Sequence, residues 1–205
     1  MRDPSSLHRM TVEEYLQFDE SAPLKHEYVA GEVYALSGVT IRHNIIALNV
    51  ATTLRAFAGN GPCRVLTTDV RLQVADDRYY YPDVMVHCGA VDELDVIVRD
   101  PCVVVEVTSP STGRIDRGEK LVAYRELASL RAYLIVDHRR RRVERHWRET
   151  LTTAWLRDEV VAESSVPIPC IDRELTLDAI YHQVALPTIG EEDAAAHGVG
   201  QGVSD

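Results

Sequence analysis

The 205-residue sequence has no run of about 18 consecutive apolar residues and therefore no candidate transmembrane helix. It begins MRDPSSLHRM, without the apolar stretch of a secretory signal, and we expect a cytoplasmic protein. Its four cysteines are widely spaced and form no CxxC pair, which argues against a zinc ribbon and does not imply a disulfide framework. We interpret them as small core residues: Cys63, Cys88, Cys102 and Cys170.

The sequence also lacks an excess of basic residues. Its formal net charge of -10 and its pI of about 5.3 argue against a protein that coats nucleic acid nonspecifically by bulk electrostatics, although they do not exclude a nucleic-acid enzyme. Part of the negative charge lies in the segment GEEDAAAHGVGQGVSD, residues 190–205, which we predict to be a disordered acidic tail. Residues 1–189 are then expected to form one domain.

The order of apolar patterns predicts a mixed α/β (α+β) protein with a central sheet flanked by helices. A capping-box pattern at Thr11 and Glu14 predicts the first helix, and the turn at Ala30-Gly31 predicts a hairpin. The later predictions are a helix over 40–57 with the apolar stripe Ile41, Ile45, Leu48, Ala51 and Leu54, strands over 69–74, 82–87 and 103–108, a helix over 116–130, a hairpin of strands 132–137 and 142–147, strands over 152–156 and 160–162, and a closing helix over 176–184.

The stretch CVVVEVTSP combines the pattern of a buried strand with a carboxylate, Glu106. An ionised carboxylate in such a strand is costly unless it is paired, hydrogen-bonded or bound to a metal. A second acid, Asp83, begins an earlier apolar strand. If the two strands are neighbours, the carboxylates converge near one edge of the sheet and suit Mg²⁺ or Mn²⁺. The alternative is that both are ordinary strand-end carboxylates, hydrogen-bonded to the backbone or solvated.

A lysine on the predicted helix 116–130 is expected to face these two carboxylates. Lys120, Tyr124 and Leu127 share one face of this helix. Because Tyr124 and Leu127 are natural core residues, we predict that Lys120 faces the sheet. There it can orient or deprotonate a metal-bound water and stabilise charge on a phosphate under attack. The alternative is a lysine whose stem lies over apolar surface and whose ammonium stays in water.

Three motifs in this order resemble the Uma-two family of restriction-endonuclease-like proteins, within the PD-(D/E)XK nuclease superfamily. They are the PD pair that ends at Asp83, the stretch EVTSPST that begins at Glu106, and the stretch DRGEK that ends at Lys120. The resemblance spans residues 11–186. The superfamily pattern places its lysine two residues after the glutamate, where this sequence has Thr108, so that the role passes to the lysine of the helix.

The resemblance implies a restriction-endonuclease-like core and metal-dependent cleavage of phosphodiester bonds. Asp83 and Glu106 would be metal ligands, Lys120 would be the catalytic lysine, and the cofactor would be Mg²⁺ or Mn²⁺. Glu27 and His43 are possible neighbours of the site. From the residues alone, Glu27 is equally a solvated acid beside a turn, and His43 a helix-surface or capping group.

The function most in keeping with these features is a Mg²⁺-dependent endonuclease acting on DNA. The alternative is a catalytically inactive module on the same fold that binds nucleic acid or a protein. A homodimer is expected by analogy, because two-fold symmetry matches duplex DNA.

The segment HRRRRVERHW, residues 138–147, holds five arginines around a predicted turn. Such a turn can contact phosphates, with Trp147 available for stacking on a base. The alternative is a solvated hairpin at the edge of the sheet whose charges discourage association through that edge.

Overall fold

The computed structural model describes residues 9–109, 112–162 and 164–186, so the predicted tail lies outside the described residues. The helical elements are α1 (Val12–Ser21), α2 (Ile41–Ala58), α3 (Gly113–Ile115), a π-helical turn (Asp116–Lys120), α4 (Leu121–Glu126) and α5 (Leu177–Ile180). The strands are β1 (His26–Val29), β2 (Glu32–Ala35), β3 (Cys63–Thr67), β4 (Arg71–Ala75), β5 (Arg78–Tyr80), β6 (Val84–Cys88), β7 (Ile97–Val98), β8 (Pro101–Val107), β9 (Ala132–Val136), β10 (Arg142–Trp147), β11 (Leu156–Val161), β12 (Ser165–Ile168) and β13 (Arg173–Thr176).

A six-stranded mixed sheet forms the centre of the molecule, in the order β11-β10-β9-β8-β6-β3. Strands β8 and β9 are parallel, whereas the other neighbours in this sheet are antiparallel. Parallel neighbours need a crossover connection, and here α3, the π turn and α4 supply it. All seven residues of β8 are buried, as its valine-rich sequence predicts.

The two faces of the central sheet are covered differently. On one face α2 packs Ile46, Val50 and Leu54 against the valines of β6 and β8. On the other face α4 packs together with a second, five-stranded sheet of order β2-β1-β5-β4-β7, to which Tyr80 belongs. The predicted mixed sheet flanked by helices is therefore confirmed, but a second sheet lies beside α4 on one face.

The capping box at Thr11 and the hairpin about Ala30-Gly31 are both confirmed. The hairpin turn holds these two residues at positive φ, 49° and 94°. The apolar stripe predicted for α2 is confirmed at Ala51 and Leu54, which are buried, but is wrong at Ile41 and Leu48, which are 82% and 61% exposed. The buried stripe includes His43, and a pattern read from apolar residues alone cannot include a histidine.

Other predicted boundaries differ from the structure. The strand over 69–74 begins only at Arg71, and the strand over 152–156 is wrong because that segment is largely turn before β11. The helix over 116–130 ends at Glu126, and the closing helix is the four-residue α5, preceded by the β12–β13 hairpin. Within the described residues, no helix is long and apolar enough to cross a membrane.

The cysteines lie in or against the core as predicted, but they form two pairs that the sequence does not imply. Cys63 bonds to Cys88 across the neighbouring strands β3 and β6, and Cys102 of β8 bonds to Cys170 in the β12–β13 connection. The partners are 25 and 68 positions apart in the sequence. Their spacing along the chain therefore gives no sign of a pairing that the sheet creates.

Candidate active site

The candidate site lies at the edge of the central sheet where β8 and β9 end and β6 begins. Val84 of β6 is paired with Val105 of β8 in antiparallel register. Asp83, one position before Val84, therefore lies beside Glu106, one position after Val105. The predicted convergence of the two carboxylates is what this register produces.

Asp83 is held by the neighbouring strand β8 and by α2. Its Oδ2 accepts a hydrogen bond of 2.7 Å from the backbone N–H of Val107, and it lies 3.1 Å from Nε2 of His43. His43 comes from the first turn of α2, whose N-cap is Thr40. Asp83 is 9% exposed. Its carboxylate is thus fixed in orientation while it still reaches the surface.

Glu106 is buried, and one of its carboxylate oxygens accepts two hydrogen bonds, one from an ammonium and one from a hydroxyl. Lys120 Nζ donates to its Oε1 at 2.9 Å, and the Tyr124 hydroxyl donates to the same atom at 2.8 Å. Both donors lie on the crossover that follows β8, where the helical spacing predicts that they face the sheet. The structure therefore brings Glu106 and Lys120 together.

A third carboxylate reaches the same ammonium from the second sheet. Glu27 of β1 is 4% exposed, and its Oε1 lies 2.8 Å from Lys120 Nζ. Glu32, on the other side of the same hairpin turn, is exposed. The register pairs Glu32 with Val29, two positions after Glu27, so both acids lie on the same face of the hairpin. Glu32 differs because it lies on β2, the edge strand of the second sheet.

Asp116 is a further site residue, to which no role is assigned from the sequence. It is 1% exposed, and its Oδ2 forms no hydrogen bond with any residue that the structure describes. It begins the π-helical turn that ends at Lys120. π-Helical turns are rare in proteins, and those that occur are often found at functional sites. Its place at the start of the DRGEK stretch is the only signal of it in the sequence.

Burial and repulsion shape the charge state of this cluster. Burial is the largest influence on Glu106 and raises its pKa, with Lys120 opposing and Asp83 adding to the shift. Burial likewise raises the pKa of Asp116 to about 6, again against the effect of Lys120. Burial alone would lower the pKa of Lys120, but Glu106 and Glu27 outweigh it and hold that pKa well above its ordinary value. Lys120 is therefore an ammonium ion at neutral pH.

Two opposing influences also act on the pKa of His43. Burial is the largest single influence and favours its neutral form, but the hydrogen bond to Asp83 and the charge of that carboxylate together outweigh burial and raise the pKa of the imidazole. The histidine is therefore a donor toward the Asp83 carboxylate.

The arginine-rich segment 138–147 does not behave as a free basic edge. Strand β10 lies inside the sheet, between β9 and β11, so the prediction of an edge hairpin is wrong. Most of its arginines are ion-paired within the protein, and Arg145 also lies over the ring of Trp147 at 4.6 Å. The pairs are Arg141 with Asp178, Arg142 with Asp137, and Arg145 with Asp158.

A buried glutamate of β10 anchors the π turn. Glu144 Oε2 accepts from Arg117 Nε at 2.8 Å, while its Oε1 lies 2.9 Å from both Arg157 Nε and His146 Nε2. Burial alone would raise the pKa of Glu144, but these hydrogen bonds outweigh it and lower that pKa to about 2. Because Arg117 stands between Asp116 and Lys120, this pairing fixes the turn that carries both.

We expect Glu144→Gln to destabilise the fold by about 2 kcal/mol at neutral pH. A lowered carboxyl pKa contributes stability above the unfolded-state value of 4.5 and loses it as the pH falls toward 2. The difference in unfolding free energy between wild type and variant should therefore shrink over that range. Urea unfolding of both proteins at several pH values measures this difference. Glu149→Gln, at an exposed residue, is the control, and an equal loss at every pH would contradict the argument.

Comparison with known proteins agrees with this fold. Residues 12–179 match the model of the Uma2 (Uma-two) family, described as "Putative restriction endonuclease". Two proteins of Synechocystis sp. are similar: uncharacterized protein slr1290 is 31% identical over 179 residues, 86% of this chain and 94% of that protein, and uncharacterized protein sll1609 is 32% identical over 160 residues, 76% and 90% of the two chains.

A solved structure supports the same assignment of fold. It is a putative nuclease belonging to DUF820 from Anabaena variabilis, with a TM-score of 0.69 and 15% sequence identity, covering 84% of this chain and 97% of that one. This likeness of fold agrees with the family match over residues 12–179. The chain belongs to the Uma2 family of putative restriction endonucleases.

Proposed function

We propose that the protein is a metal-dependent nuclease that hydrolyses phosphodiester bonds in DNA, with Asp83, Glu106 and Lys120 as its catalytic residues. The observation that carries this proposal is the meeting of two buried carboxylates and a buried ammonium at one edge of the central sheet. Membership of the Uma2 family, described as "Putative restriction endonuclease", supports the same reaction class.

The residues of the site fit a divalent cation in charge and in chemistry. Four carboxylates act on one another there, those of Glu27, Asp83, Glu106 and Asp116, against the single ammonium of Lys120. The buried Oδ2 of Asp116 forms no hydrogen bond with the described residues and leaves an acceptor free at the site. Carboxylate oxygens are the ligands that Mg²⁺ and Mn²⁺ prefer.

Asp83 and Glu106 would hold this cation. Over the residues described, no three histidine, cysteine, aspartate or glutamate side chains are grouped as ligands of one ion. Mg²⁺ usually keeps several waters and binds through one or two carboxylates together with substrate phosphates, so two protein ligands suffice. When bound, the cation would polarise the phosphodiester and favour the ionised form of a water nucleophile.

The protein side chains would orient and stabilise the reacting groups. Lys120 keeps its proton, so it acts as a fixed positive charge and hydrogen-bond donor toward the phosphate instead of removing a proton from water. Tyr124 donates to Glu106 and limits the rotation of that carboxylate. The Val107 N–H and His43 do the same for Asp83.

The test is cleavage of supercoiled plasmid by purified protein with Mg²⁺ or Mn²⁺. We expect wild type to nick or linearise the plasmid, and Asp83→Asn and Glu106→Gln to lower the rate by at least about 100-fold. Both variants keep the size of the side chain and an oxygen acceptor for Val107 or Lys120. Parallel assays on single-stranded DNA and on RNA define the substrate.

Equal cleavage by all three proteins would identify a contaminating nuclease and contradict the proposal. Absence of cleavage by wild type on every substrate, with retained binding of nucleic acid, would favour the inactive binding module instead. The proposed homodimer is measured separately by light scattering of the protein with and without duplex DNA.

A further inference from the structure

A second group of polar side chains lies beside the proposed cleavage site, at the same edge of the sheet. It consists of Arg42, His43, His138 and Arg139, and we call it the basic rim. Because β8 and β9 are parallel and in register, the residues that follow β9 emerge next to the end of β8. His138 and Arg139 belong to this β9–β10 turn, and Arg42 and His43 to the first turn of α2.

Each of the two imidazoles of the basic rim has a buried nitrogen without a partner. His43 is 6% and His138 9% exposed, and Nδ1 of each forms no hydrogen bond with the described part of the chain. The other nitrogen of His43, Nε2, is used by Asp83. A buried polar atom without a partner costs about 1–3 kcal/mol. Both Nδ1 atoms therefore indicate that a ligand completes this region.

The two arginines of the rim also lack internal partners. Neither Arg42 nor Arg139 forms an ion pair with any residue that the structure describes. The arginines that follow in the β9–β10 hairpin differ, because carboxylates within the protein neutralise them: Arg141, Arg142 and Arg145. Arg42 and Arg139 therefore keep their charge available for a ligand.

The other three groups of the basic rim all act on one imidazole, that of His138. Burial is the largest cause that lowers the pKa of His138, and Arg139, Arg42 and His43 lower it further, against the opposing charge of Asp137. Asp137 is itself bonded to Arg142 at 2.9 Å. The N-terminus of α2, an 18-residue helix, adds the partial positive charge of its unpaired N–H groups.

We propose that the basic rim binds a backbone phosphate of the nucleic-acid substrate, adjacent to the phosphate that is cleaved at Asp83 and Glu106. This inference rests on the proposed nuclease function. Contacts of arginine, imidazole and helix N-terminus to phosphate oxygens position a duplex without reading its sequence. The rim would therefore fix which phosphodiester reaches the carboxylates.

Binding of a short fluorescent DNA duplex, with Ca²⁺ in place of Mg²⁺, tests the proposal. We expect the double variant Arg42→Ala/Arg139→Ala to bind about 10-fold more weakly than wild type and the slope of log Kd against log salt to fall by about one, because one phosphate contact is lost. Arg55→Ala is the matched control, since Arg55 is an exposed arginine near the opposite end of α2. It should leave affinity and slope unchanged.

A pair of substitutions tests the imidazole. His138→Asn keeps a donor close to the Nδ1 position and should retain more affinity for the duplex than His138→Leu, which removes it. Thermal unfolding of both variants without DNA separates binding from folding. Equal affinity of two variants that are folded to the same extent would overturn the role of Nδ1.

The remaining outcomes distinguish the sources of the phosphate. Equal DNA binding by wild type and the double arginine variant would overturn the proposal while the plasmid assay still decides the nuclease function. Displacement of DNA by low concentrations of inorganic phosphate, lost in the arginine variant, would assign the rim to a free phosphate and overturn its role in substrate binding. If wild type binds no nucleic acid at all, the proposed function and the rim both fail.

Discussion

Replacing Lys120 by methionine is expected to abolish plasmid cleavage and to lower the free energy of unfolding by about 3–5 kcal/mol. Methionine fills similar volume but leaves Glu106 and Glu27 buried without the ammonium that each contacts at 2.9 and 2.8 Å. An uncompensated buried charge is far costlier than the loss of the same contact at the surface. Urea unfolding in the presence of EDTA measures the stability without any contribution from bound metal.

The double variant Lys120→Met/Glu106→Gln separates this charge effect from simple loss of packing. It removes one of the stranded carboxylates, so we expect it to be more stable than Lys120→Met alone, with a coupling free energy of about 1–3 kcal/mol. Lys25→Met is the control, because Lys25 is exposed and is the other of the two lysines in the chain. If Lys120→Met were as stable as wild type, the buried cluster would not be held together by the ammonium.

Replacing Asp19 by alanine is expected to cost about 3–5 kcal/mol of stability as well. This carboxylate is 1% exposed and accepts from Arg71 Nε at 3.1 Å, from the Tyr81 hydroxyl and from the His26 backbone N–H at 2.8 Å. Without it, the buried guanidinium of Arg71 has no carboxylate. Because His26 begins β1, the strand that carries Glu27 should also be held less firmly.

Thermal and urea unfolding test this expectation against a surface pair. Asp158→Ala removes the half-exposed partner of Arg145 and should cost only about 0.2–1 kcal/mol. The double variant Asp19→Ala/Arg71→Met should recover part of the loss, because it leaves no unpaired buried charge. Similar small losses for Asp19→Ala and Asp158→Ala would show that burial does not govern the energetics of this network.

The central part of the site could be predicted because its members carry local signals. Glu106 interrupts a valine run, Asp83 precedes an apolar strand, and Lys120 shares a helical face with two core residues. Each anomaly is visible within a few positions of sequence. The two carboxylates meet because of the register between β6 and β8. No local sequence pattern specifies that register.

The remaining residues of the site lack such signals. Glu27 and His43 arrive from a distant hairpin and from α2, and only the family resemblance singled them out. Asp116 looks like an acid in the first turn of a helix, a position that is normally solvated and favoured by the helix dipole. The π-helical turn that buries it has no pattern in the sequence, and the short strands of the second sheet alternate too briefly to be recognised.

The crossover between β8 and β9 also bears on the order in which the molecule folds. Glu106 lies 14 positions from Lys120 and 18 from Tyr124, so closing this loop costs little chain entropy and brings the ion pair together early. Glu27 must come from much farther along the chain. We expect Glu106 and Lys120 to enter the interior as an ion pair, with the negative charge of Glu27 added only when β1 docks.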